Sequence, residues 1–207
     1  RTRRHYSQLN FFRKFIKNTY SKKLQTDSDA IFSLSSTYIS LETKLGLKSA
    51  GRCAICVEKI SGSLFDELKR YIDSFLDSIK TNFELSYSTL VDKYDYLWII
   101  IDAKRIEDIV ACVTAVGETI EERGFSDQLL SAVIEFSSDG IENPYYLIYN
   151  YKLDSFYPFV PTNTTINQRR RNNQAEMKIM AAVTDDKLPF EKDMSRWYPI
   201  WNIPVGL

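Results

Sequence analysis

The run Tyr94-Asp95-Tyr96-Leu97-Trp98-Ile99-Ile100-Ile101-Asp102 is apolar on both faces when extended, because Tyr96, Trp98 and Ile100 alternate with Leu97, Ile99 and Ile101. A strand of that kind needs cover above and below. It predicts a central strand with packed layers on both sides, and the rest of the chain must supply those layers. The purely apolar part, Leu97 to Ile101, is far short of the ~20 residues that span a bilayer.

Two amphipathic stripes supply helices. Leu64, Leu68, Tyr71, Ile72, Phe75, Leu76 and Ile79 form one continuous face, and Ser63 with Asp66 three residues on resembles a capping box at its start. Ile106, Ile109, Val110, Val113, Val116 and Ile120 form the second, with Gly124 placed to stop it. The segments LLSAVIEFSS and YYLIYNYKL alternate on either side of Asp139-Gly140, which is a hairpin signal. TYISLETKL and RCAICVEKI also read as strands, with Gly46 between them and only a short turn, AIFSL, before. A weaker strand is expected around Phe83 to Tyr87, and FYPFVP is extended. RRRNNQAEMKIMAAV reads as a helix with a narrow apolar stripe. SRWYPIWNIPVGL, with two Trp and two Pro, suits an extended tail laid over the domain with its aromatics in grooves.

The fold class expected is α+β: a single domain over residues 28–207, with a mainly antiparallel sheet of about six strands, amphipathic helices, and a further helix ahead of it. At 207 residues and 44% apolar composition a chain of this size buries roughly 70% of its unfolded surface. The formal charge is zero but unevenly spread: residues 1–26 hold eight Lys or Arg and no acid, leaving 19 basic against 27 acidic residues in the remainder. Residues 1–27 are therefore a basic segment and linker on an acidic body. Within it, Leu9, Phe12, Phe15 and Ile16 fall at helical spacing with cations interleaved, as an interfacial helix requires. Phe11, Phe12, Arg13, Lys14 and Lys17 are the candidates for contact with a partner or an anionic membrane surface; the alternative is that Phe12, Phe15 and Ile16 pack on the domain and the cations are simply exposed.

Several chemistries lack their residues. The one histidine, His5, lies in the basic segment, away from any nucleophile of the domain, so Ser-His and Cys-His catalysis has no base. Cys53 and Cys56 form a C-x-x-C inside a strand pattern, where the two point to opposite faces, and they read as small buried side chains. Three cysteines argue against a disulfide scaffold and for a reducing, cytoplasmic setting. No Gly-rich phosphate loop is present. Arg169-Arg170-Arg171 is the sharpest charge run, a solvated face or an anion contact, but the acidic body speaks against nucleic acid. No catalytic residue, metal ligand or cofactor is expected, and the chain reads as a binding protein rather than an enzyme. The alternative is a small-ligand-binding domain or enzyme with its site in the C-terminal third.

Taken in order, IFSLSSTYISLE, the YDYLWIII strand, RGFSDQLLSAVIEF, LIYNYKLDSFYPFVP, RRRNNQAEMKI and LPFEKDMSRWYPIWNIPVGL resemble the PspAB family, the phage-shock-protein-A-associated proteins of archaea and bacteria. The resemblance spans about residues 30 to 207, and the opening RTRRHYSQLN matches nothing in its pattern. It implies association with PspA-type membrane-stress systems and, in archaea, proximity to HtpX-type membrane proteases; together with the basic helix it makes a cytoplasmic place, peripheral at the inner face of the cell membrane, the expectation. It carries over no site residues. Tyr157, Arg171, Asn173, Glu176, Arg196, Trp197 and Trp201 fall within the matching motifs and are the binding candidates, or the residues that tie the tail down.

Overall fold

A computed structural model describes residues 30–58, 62–81 and 83–205. The basic segment, with Phe11, Phe12, Arg13, Lys14 and Lys17, lies outside the described residues.

The expected six-stranded sheet is present and antiparallel throughout. Its strands are β1 (Leu47–Glu58), β2 (Ser86–Val91), β3 (Tyr96–Asp102), β4 (Leu129–Ser138), β5 (Ile141–Asn150) and β6 (Ser155–Phe159), in the order β2-β3-β1-β4-β5-β6. The doubly apolar strand β3 is interior, as predicted, with Leu97, Trp98, Ile99 and Ile101 buried. The central pair, however, is β1 and β4, and Cys53 through Val57 of β1 are all buried. The Asp139-Gly140 hairpin forms with Ser138 paired to Ile141. β2 begins later than expected, at Ser86.

Helices α1 (Ala30–Leu45), α2 (Ser63–Ile79), α3 (Ile106–Glu122) and α4 (Asn173–Val183) accompany the sheet. Helical side chains and the Ile55, Val57, Leu97, Ile99 and Ile101 face of the sheet form the larger core. α3 packs on β1, β3 and β4, and α1 packs on α3 and α4.

α1 corrects the reading of TYISLETKL as a strand. The buried residues Ala30, Ile31, Leu34, Thr37 and Leu41 keep helical spacing straight through the serines, whereas Ile39, which strand alternation would bury, is 64% exposed. The hydroxyls along it bond back into the helix: Ser33 donates to the Ala30 carbonyl at 2.6 Å, Ser36 to that of Ser33 at 2.9 Å and Thr43 to that of Ile39 at 2.7 Å. Gly46, at φ +67°, closes the helix, and its N–H donates to the Glu42 carbonyl. Gly46 thus ends a helix rather than joining two strands. Gly51, at φ +76°, sits where the β1–β4 register shifts, and a Cβ there would meet the Ala103 carbonyl oxygen at 3.0 Å.

Two expected helix starts also move. α2 is preceded by Gly62 at the cap position and Ser63 makes no capping bond, so the proposed capping box does not form. α4 begins at Asn173, after the arginine run. Asn172 caps it by accepting the Ala175 N–H at 3.0 Å, while Arg170–Arg171 form a two-residue strand, β8, against β7 (Pro161–Asn163). The cations therefore precede the helix instead of opposing its dipole from within.

Candidate functional site

The outer face of the sheet carries a second core of Ala54, Cys56, Trp98, Val133, Tyr146, Ile148, Tyr157 and Phe159, closed by Trp197 and Val205 from the tail. The tail is laid across the domain as the sequence suggested. At the edge of β6 it makes a parallel bridge: Phe156 N–H donates to the Pro189 carbonyl and Glu191 N–H donates to the Phe156 carbonyl, each at 2.8 Å. That pairing covers part of an otherwise open sheet edge.

Four of the seven motif candidates meet in one clamp. Glu176, only 1% exposed, lies beneath Arg171, whose Nε is 2.9 Å from each carboxylate oxygen. The same carboxylate accepts the Val160 N–H at 2.9 Å, and Arg171 reaches on to the Trp197 carbonyl at 2.8 Å. Burial pushes the Glu176 carboxyl upward, and the guanidinium and the Val160 N–H pull it back down. Trp197 donates its indole N–H to the Glu191 carbonyl at 2.9 Å and meets Phe190 edge to face. Tyr157 donates its hydroxyl to the Tyr198 carbonyl at 3.0 Å. The Trp197 indole bond braces the tail internally, and the other polar groups are spent on holding β6, α4 and the tail together. Asn173, exposed at the start of α4, joins neither this clamp nor the cleft beside it.

The cleft lies between the sheet and the tail and holds about 630 Å³. Tyr96 and Trp98 of β3, Cys56 of β1 and Tyr157 of β6 line it from the sheet, and Tyr198, Ile200 and Trp201 line it from the tail. Trp201 is fixed edge to face on Phe159 at 5.2 Å between centroids. The β2–β3 turn sets the Trp98 indole: Asp92 accepts the Trp98 N–H at 2.9 Å on one oxygen and the backbone N–H groups of Tyr94 and Tyr96 at 2.8 and 3.1 Å on the other. Asp95, at φ +66°, turns the chain so that both amides point inward.

Among the described residues three cations face this space: Lys152, Arg169 and Arg196. Arg169 lies over the Trp201 ring at 5.7 Å, within cation–π range. The Cys56 thiol is pushed up to about 12, by burial first and by the Asp92 charge second, so it is a wall and not a nucleophile. Of the motif candidates the cleft takes Tyr157, Arg196 and Trp201. Asp92, Trp98, Lys152 and Tyr198 were not foreseen as site residues. Trp98 and the tail were visible separately, as an apolar strand residue and as aromatics needing grooves, but no local pattern says that they meet.

Among the described residues no helix is long and apolar enough to cross a membrane, and no group of three or more His, Cys, Asp or Glu is placed to hold a metal. No curated protein and no solved structure matches the chain. A family model does, over residues 9–205, reaching further toward the N-terminus than the resemblance read from residue 30 and taking in much of the basic segment. That model is described as PspA associated protein B, and the chain belongs to the PspAB family.

Proposed function

We propose that this chain is a non-enzymatic accessory protein of a PspA-type, phage-shock membrane-stress response, and that it works by binding a PspA-like protein. The observation that carries the reading is the family match over residues 9–205, whose description is association with PspA. The disposition of the thiols supports a binding role: Cys53, Cys56 and Cys112 are all buried with their pKa values raised, which makes them poor nucleophiles. The Arg171–Glu176 clamp is likewise occupied by structural bonds.

The segment containing Phe11, Phe12, Arg13, Lys14 and Lys17 adds a second contact in this reading, an anionic membrane surface at the inner face of the cell membrane, by apolar insertion plus charge attraction. An HtpX-type membrane protease is the further partner in a cytoplasmic setting. Nucleic acid is not a partner, because the body is acidic.

Two measurements test this. Affinity capture with the tagged chain should retain a PspA-like protein, and flotation with anionic vesicles should carry the chain upward at low salt and less so at physiological salt, as screening requires. Capture of no PspA-like protein removes the adaptor reading. Flotation that is absent at low salt, or equal on neutral vesicles, removes the membrane contact.

A further inference from the structure

The cleft under the tail has no occupant in the PspA reading, and its chemistry is specific enough to name one. Its volume of about 630 Å³ lies within the roughly 300–1,000 Å³ of small-molecule sites. Flat rings enter from both sides, Trp98 and Tyr157 from the sheet and Trp201 from the tail, and each is held in place: Trp98 by its bond to Asp92, Tyr157 by its bond to the Tyr198 carbonyl and Trp201 by the Phe159 ring. A flat apolar body fits such walls.

The charge is one-sided. Against Lys152, Arg169 and Arg196 the lining holds, among the described residues, one acid, Asp92, and both its oxygens are committed to Trp98 and to the turn amides. Arg196 finds Glu191 and Asp193 only at 3.5 and 3.6 Å, and Lys152 finds the Ser126 carbonyl at 3.3 Å and Asp127 at 3.5 Å. Arg169 is the sharpest case. Its Nε–H is buried with no acceptor among the described residues, and a terminal nitrogen reaches the Asn202 side chain only at 3.5 Å. The terminal N–H groups of Arg169 are the ones open to the cleft, and a ligand's anionic oxygen can accept from them.

We propose that this cleft binds a small aromatic anion, with its ring system against Trp98 and Trp201 and a carboxylate or phosphate at Arg169. The site stands independently of PspA association, so its test succeeds or fails apart from that reading.

The full 207-residue chain is titrated with two fluorescent probes, anionic anilinonaphthalene sulfonate and uncharged N-phenylnaphthylamine. The anionic probe should saturate at one per chain and bind about tenfold or more tighter than the neutral one. Arg169→Gln should weaken the anionic probe by about tenfold while leaving the neutral probe unchanged. Arg169→Lys should recover part of that loss, which a change that merely loosened the fold would not show. Tyr94, exposed at the cleft wall, offers a change with little folding risk, and Tyr94→Ala should weaken both probes. Displacement of the anionic probe by adenosine monophosphate or by indole acetate tells a phosphate from a carboxylate ligand. Binding that does not saturate, equal affinity for both probes, an Arg169→Gln chain that binds the anionic probe as before, or a probe that neither competitor displaces at millimolar concentration overturns the proposal.

Discussion

Arg171 places its Nε 2.9 Å from both carboxylate oxygens of Glu176 while its neighbouring nitrogen holds the Trp197 carbonyl at 2.8 Å, so one guanidinium joins a buried acid in α4 to the tail that closes the outer sheet face. Removing one member of such a pair leaves the other charge buried and uncompensated. Arg171→Ala or Glu176→Ala alone should therefore cost about 3 kcal/mol in chemical denaturation, and the double change clearly less than the sum of the two.

Trp197 is 3% exposed and packs on Phe190. Trp197→Ala should cost about 3–5 kcal/mol and speed protease cleavage within residues 189–205, since the tail loses both its ring anchor and the indole bond to Glu191. Tyr157→Phe removes one hydroxyl bond to the Tyr198 carbonyl and should cost only about 1 kcal/mol.

All three thiols are buried. Burial, helped by nearby Asp92 for Cys56 and Asp108 for Cys112, lifts each of these two to about 12 and raises Cys53 well above its ordinary value. The native chain should show no rapid reaction with Ellman's reagent at pH 8, and three equivalents in denaturant. Cys56 lines the cleft, so fast native labelling there would contradict its raised pKa.

Glu135 on β4 has one carboxylate oxygen buried without a hydrogen-bond partner among the described residues, beside Arg52, Asp102 and Tyr146, and Arg52 is already bound to Asp102 at 2.6 Å. Burial raises the Glu135 pKa, so between its unfolded and folded values the native chain holds more protons than the unfolded chain and stability falls as pH rises. Glu135→Gln removes that fall. At pH 7 it should melt about 1–3 °C above the parent, with the advantage shrinking to nothing as pH drops below the ordinary carboxylate range.

Periodicity made α2, α3 and the β4–β5 hairpin legible in the sequence, because each stripe meets one continuous core. The same logic misread α1. Thr37, Ile39 and Leu41 alternate by coincidence, and only the longer series from Ala30 to Leu41 shows the helical period. The arginine run was visible as a charge feature, but its division of labour was not. Arg171 turns inward to Glu176, Arg169 faces the cleft and Arg170 stays exposed, a split that the β7–β8 pairing sets and no local motif encodes. The cleft itself depends on strand order. Trp98 lines it because β3 lies beside β1 with its outer face toward the tail, and residues so far apart in sequence carry no shared signature.

The most direct test of the central claim is a binding titration of the purified chain against a PspA-like protein from the same source, followed by sedimentation or calorimetry. The account predicts saturable association that persists in the Arg169→Gln chain, whose lesion is confined to the cleft. No association at concentrations of tens of micromolar, with both proteins folded, would contradict it.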